Sequence, residues 1–132
     1  MKSLQRKYLF ATAILFISLV CSAAMLEATI RWDKKTHDFG KIPQKKKVSY
    51  EFKFKNPGMI PLTILNVEST CGCTVPEYSK QPIPPGGEGK IKVVYDAKTL
   101  GYYTKTIKVY TNTAKKMTEL YIKAEVIAET QK

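Results

Sequence analysis

Between Val48 and Asn56 the chain alternates strictly: Tyr50, Phe52 and Phe54 fall on one side, and Glu51, Lys53 and Lys55 on the other. A period of two puts every apolar group on one face of an extended strand and every charge on the opposite face. A segment of this kind must bury one face and wet the other, which is how antiparallel sheets behave. Asn56-Pro57-Gly58 then supplies a turn, with proline fixing φ and glycine accepting positive φ.

The same pattern recurs along the chain. Leu62 to Ser69, Lys90 to Tyr95 and Tyr103 to Thr111 read as strands, and Met117 to Ile127 as a longer one with Leu120, Ile122, Ala124 and Val126 facing inward. Ala28 to Trp32 and Thr36 to Phe39 read as one first strand broken by the polar Asp33-Lys34-Lys35. Lys45-Lys46-Lys47 reads as a solvated turn, and the proline-rich stretch from Gln81 to Gly89 as a surface connection. About seven short strands with frequent turn signals predict an all-β immunoglobulin-like antiparallel sandwich. The cysteine-tryptophan-cysteine arrangement of antibody domains is missing, since Trp32 precedes both Cys71 and Cys73.

Residues 1–24 read as a cleaved signal peptide: basic Lys2, Arg6 and Lys7, an apolar run from Leu9 to Val20, then small Ser22, Ala23 and Ala24. The run is shorter than the roughly 20 residues of a membrane-spanning helix. Cys21 raises the alternative of a lipoprotein tether, and Val20 beside it is bulkier than such processing accepts. Cleavage after Ala24 leaves residues 25–132 as one domain, a length that supports a single core.

Without the leader 19 basic residues face 11 acidic ones, a net charge of +8. Only Arg31 among them is arginine, the residue best suited to bidentate phosphate and base contacts, so nucleic acid is not the expected partner. Scattered lysines serve solubility and keep sheet edges apart. Attraction to an anionic surface polymer is the functional alternative.

Several phrases form a set: Thr36-His37-Asp38-Phe39-Gly40, Tyr50 to Asn56 with its proline-glycine turn, Pro61-Leu62-Thr63-Ile64, Ser69-Thr70-Cys71-Gly72-Cys73-Thr74, Ile83-Pro84-Pro85-Gly86-Gly87 and Tyr95-Asp96. From about Ala28 to Ile127 the chain resembles the exported bacterial immunoglobulin-like family catalogued as domain of unknown function 1573. The resemblance implies export and the sandwich fold. It also implies, by analogy with related modules, a binding or scaffolding role.

Cys71 and Cys73 are the two thiols left once the leader is gone. On a flat strand residues two apart share a face about 6.6 Å apart, near the upper limit of about 6.8 Å for the Cα separation of a disulfide. Bonding them requires a bend, which Gly72 permits. Three readings stand side by side: inert half-buried cysteines or an inert disulfide, a labile redox pair, and a two-thiolate site for Cu(I). Zinc fits poorly, because it takes four ligands and His37 is the only histidine. No cofactor is expected, and no metal ligands are assigned.

His37 reads as a surface or turn position rather than a base or ligand, and adjacent Asp38 points to the opposite face of an extended chain. Tyr102, Tyr103, Tyr110 and Tyr121 read as cross-strand packing pairs, with an aromatic ligand platform as the alternative. No nucleophile elbow surrounds Ser49, Ser69 or Ser79, and no glycine-rich phosphate loop precedes a helix. The expected protein is a non-catalytic binding or structural module of the bacterial envelope, periplasmic or extracellular, that contacts an envelope protein or surface polymer. Its contact loops are expected at one end, around Cys71 to Pro76 (with Gly72 and Thr74) and Pro82 to Gly87 (with Pro84, Pro85 and Gly86). A thiol-redox or Cu(I)-handling protein using Cys71 and Cys73 is the alternative.

Overall fold

Eight strands form in chain order: β1 (Arg31–Trp32), β2 (Thr36–Pro43), β3 (Val48–Lys55), β4 (Ile64–Ser69), β5 (Thr74–Tyr78), β6 (Glu88–Tyr95), β7 (Gly101–Thr111) and β8 (Met117–Ile127). The structure, a computed structural model, describes residues 27–129 together with Gln5. The apolar run Leu9 to Val20, Cys21 and the cleavage position after Ala24 lie outside the described residues.

The strands make two four-stranded sheets, β1-β3-β6-β5 and β2-β8-β7-β4. Neighbours are antiparallel except β2, which runs parallel to β8 from Thr36 opposite Tyr121 to Pro43 opposite Ile127. The broken first strand contributes two of the eight. Asp33-Lys34-Lys35 carries the chain from the edge of one sheet to the edge of the other, so its two halves pair in different sheets.

Alternation places the core as the sequence implies. Phe52, Phe54, Ile91, Val93 and Tyr95 from one sheet meet Ile107, Val109, Leu120, Ile122, Ala124 and Val126 from the other, all buried. Each phenylalanine, valine, leucine and isoleucine among them contributes about 1.5–3 kcal/mol on burial, so this layer holds the sheets together. Phe54 lies opposite Gly89, where a Cβ would overlap its ring, and Trp32 packs on its other side with centroids 5.0 Å apart. A glycine at the second position of β6 makes room here for an aromatic ring from the neighbouring strand.

Two expectations need correction. Thr74 to Pro76, expected within a contact loop, belongs to strand β5 (Thr74–Tyr78), which pairs Thr74 with Tyr95 and Tyr78 with Ile91. Pro76 breaks the sequence signal, yet β5 is an edge strand, where a proline removes no ladder bond. His37 is not a surface or turn residue: it sits within β2, half-buried, stacked on Tyr50 with centroids 3.7 Å apart and edge-on to Phe39 at 4.6 Å.

The other edges are blunted as well. On β4 the Val67 amide donates to Asn66 Oδ1 at 2.9 Å, and in the β2 bulge the Gly40 amide donates to Asp38 Oδ1 at 2.8 Å. Edge amides satisfied by their own neighbours are poor templates for another chain.

Candidate functional site

The register separates the expected contact loops. Thr74 pairs with Tyr95 at the end of β6, whereas Pro84-Pro85-Gly86 leads into Glu88 at its beginning. Eight residues of extended strand, about 26 Å, lie between them. Cys71 to Pro76 and Pro82 to Gly87 therefore sit at opposite ends of the sandwich and cannot form one surface.

At the first end Cys71 and Cys73 form a disulfide, with Cα atoms 5.3 Å apart. That is shorter than the span of a flat strand because the chain turns through this tripeptide between β4 and β5. The turn is held by the Thr70 amide on the Thr106 carbonyl at 3.1 Å, the Asp96 amide on the Cys73 carbonyl at 3.1 Å, and the Ser69 hydroxyl on the Cys71 carbonyl at 2.9 Å. Thr74 is buried, with its Oγ1 3.6 Å from Cys71 Sγ, while Gly72 is exposed with open space around it. Asp96 pairs with Lys98 at 3.0 Å through one carboxylate oxygen; the other is buried without a partner among the described residues.

His37 does not approach this tripeptide. It belongs to β2 and the cysteine turn follows β4, the two opposite edges of one sheet, so three strand spacings, about 14 Å, separate them. Among the described residues no group of three or more histidine, cysteine, aspartate or glutamate side chains is arranged to hold a metal.

The second end is built around two asparagines that composition alone marks only as turn residues. Asn56 is completely buried and fully satisfied. Its Nδ2 donates to the Ile60 and Ile83 carbonyls at 2.9 and 3.0 Å, and its Oδ1 accepts from the Gly58 amide at 3.0 Å. Its own amide donates to the Gly87 carbonyl at 2.9 Å, and its carbonyl accepts from the Gly86 amide at 2.7 Å. One side chain thus ties the β3–β4 connection to the proline-rich β5–β6 connection, which Leu62 and Ile83 join again by reciprocal backbone bonds of 2.9 and 2.8 Å.

Asn112 does the same for the β7–β8 turn. Its Oδ1 accepts from the Thr63 amide at 2.8 Å and its Nδ2 donates to the Pro61 carbonyl at 3.1 Å. Three connections are fixed to one another, and what the β3–β4 and β5–β6 connections display is apolar: Pro57, Met59, Pro61, Pro82, Pro84 and Pro85 are all exposed. Met59 is 78% exposed. From Asn56 to Asn66 and from Gln81 to Gly87 no residue is charged, while Lys115 and Lys116 stand exposed in the adjoining turn.

The four tyrosines do not gather into one platform. Tyr103 turns its hydroxyl to the Leu100 carbonyl at 2.8 Å, and Tyr121 donates to Glu119 at 2.6 Å. That carboxylate bond pushes the Tyr121 pKa up. Tyr110 reaches Glu68, and Tyr102 stands alone, eight positions away along β7 and 81% exposed.

This arrangement, with strands ordered as in immunoglobulin constant-type sheets and the first strand shared between both sheets, defines an immunoglobulin-like sandwich module. The chain belongs to the family described as protein of unknown function (DUF1573), whose model matches residues 30–126. A protein of unknown function from Porphyromonas gingivalis is similar in structure, with TM-score 0.69 and 17% identity over 79% of this chain and 49% of that one. The ASH / PapD-like domain 7 of human CEP192 gives TM-score 0.66 at 10% identity, covering 78% of this chain and 88% of that domain. The VesB protease of Vibrio cholerae gives 0.62 at 16% identity, over 76% and 32%. The chain therefore spans about half of the Porphyromonas protein and about a third of the protease. Comparison with curated proteins finds no match. Among the described residues no helix is long and apolar enough to cross a membrane.

Proposed function

We propose that the protein is an exported, non-catalytic binding module of the bacterial envelope, docking its partner through the end that carries Pro84, Pro85 and Met59. One observation carries this reading: Asn56 and Asn112 lock three connections together, and two of them, β3–β4 and β5–β6, present a fixed, uncharged apolar surface. Ordering loops on binding costs free energy, and here that cost is met during folding. Prolines at the exposed positions add rigidity of their own.

Export is supported by the leader pattern and by the Cys71–Cys73 disulfide, since disulfides persist in oxidising compartments. The likeness to parts of longer chains, a protease among them, supports a unit that works beside other domains. Pull-down from envelope material tests the docking surface. The reading expects Met59→Glu and Pro85→Glu to lose a partner that the wild-type and Cys71→Ser proteins retain. Equal recovery by all four proteins would count against it.

Thiol chemistry is a second reading, favoured by the fact that the disulfide closes only the turn in which it lies. Such a bond can open and re-form without altering how the sheets pack. The reduced pair would then be available for exchange or for Cu(I). Stoichiometric Cu(I) uptake by the reduced protein, abolished by Cys71→Ser and kept in His37→Ala, is the outcome this reading requires.

A further inference from the structure

The outer face of the second sheet carries a groove of about 460 Å3, away from the proline-bearing end and beside the start of β7. Its floor is two cross-strand rows of three side chains. Thr104, Lys123 and Asp38 form one row, and Tyr102, Glu125 and Lys41 the other, as the register of β7, β8 and β2 dictates. Three strands and a two-residue step give a floor of about 10 by 7 Å.

The β2 bulge shapes the groove. Phe39 and Gly40 stand where the partner strand has only Ala124, and Gly40 takes φ of 66°, which glycine tolerates without strain. Phe39 packs against His37, so the extra residue leaves Asp38 and Lys41 splayed on the outer face. Space above Gly40 is open.

Three features of the groove define its ligand. Two acids and two lysines balance to zero, on a protein whose overall charge is strongly positive, so the groove does not select an anion. Lys41 and Lys123 form no ion pair within 4 Å among the described residues, which leaves both ammonium groups free to donate. Tyr102 is 81% exposed, and the carboxylate of Glu125, its cross-strand neighbour, pushes its pKa up.

An aromatic face beside both donors and acceptors suits a ligand with an apolar C–H face and a rim of hydroxyl or amide groups. We propose that this groove binds a neutral glycan, with Tyr102 stacking on one sugar ring and Asp38, Lys41, Lys123 and Glu125 hydrogen-bonding its rim. The site is separate from the proline-bearing end and does not depend on that end's role.

Amide chemical shifts of the full chain, titrated with triacetylchitotriose, cellotriose and trigalacturonate, test the proposal. A neutral trimer should give saturable shifts confined to Thr36–Pro43, Gly101–Thr104 and Lys123–Glu125, with a Kd on the order of 1 mM. Affinity should hold from about 0.05 to 0.5 M salt, because a neutral ligand is not screened. Tyr102→Ala should weaken binding by about tenfold or more, and Lys123→Ala should weaken it as well. Tyr110→Ala should leave it unchanged. Tyr102 is exposed enough for its replacement to preserve the fold, which the same spectra verify. The proposal is overturned if neither neutral trimer shifts these residues at about 20 mM, if Tyr102→Ala binds as well as wild type, or if only the uronate binds and salt abolishes it.

Discussion

The imidazole of His37 lies nearly parallel to the Tyr50 ring, 9° between planes and 3.7 Å between centroids, joining β2 of one sheet to β3 of the other. Burial lowers the His37 pKa below its ordinary value of 6.5, with Asp38 opposing the shift and Lys34 adding to it. A depressed pKa means that the unfolded chain binds the proton more readily. The stabilising contribution is therefore complete above pH 6.5 and is lost as pH falls through the lower, folded value.

Urea unfolding between about pH 7.5 and 5 should show stability falling toward acid, in a window above the carboxylate range. His37→Phe keeps an aromatic contact and removes the proton, so its profile should be flatter there. An identical slope in the variant would rule out His37 as the source.

Asn56 gives a second prediction. Asn56→Ala leaves the Ile60 and Ile83 carbonyls and the Gly58 amide without their side-chain partner. The Ile83 carbonyl keeps its bond from the Leu62 amide, so two groups are left unsatisfied at about 1–3 kcal/mol each, and a loss of about 2 kcal/mol or more is expected in urea titrations. Hydrogen exchange should show faster opening at Leu62, Ile83 and Gly86, while β7 and β8 stay protected. A loss below about 1 kcal/mol would remove Asn56 as the staple.

The disulfide should matter far less to stability. Chain entropy for a loop this short limits its contribution to about 2 kcal/mol, against about 3–5 kcal/mol for Phe54→Ala in the core. Reducing the protein, or making the Cys71→Ser, Cys73→Ser double variant, should leave a folded sandwich with a small drop in Tm. Unfolding on reduction would mean that the bridge holds more than its own turn.

The alternation of Tyr50, Phe52 and Phe54, and of Leu120 to Val126, made the core strands and their inward faces legible, because a half-buried strand writes its burial directly into a period of two. Pro76 hid β5, since a proline tolerated only at an edge looks like a loop until the edge is known. His37 was hidden because a single aromatic contact between sheets leaves no periodic trace. The cysteine tripeptide was plain in sequence, but its distance from the proline-rich loop depends on register, and register is a long-range property. Asn56 and Asn112 read as ordinary turn residues, because their bonds reach partners up to 51 positions away.

The claim that the proline-bearing end is the docking surface is tested most directly by photo-crosslinking in intact cells, with a photoreactive residue placed in turn at Met59, Pro85 or Gly72. The account predicts a discrete adduct from Met59 and Pro85, at opposite sides of the Asn56 staple, and none from Gly72 at the disulfide end. An adduct from Gly72 alone would move the contact to the cysteine turn, and no adduct from any of the three positions would contradict docking through either end.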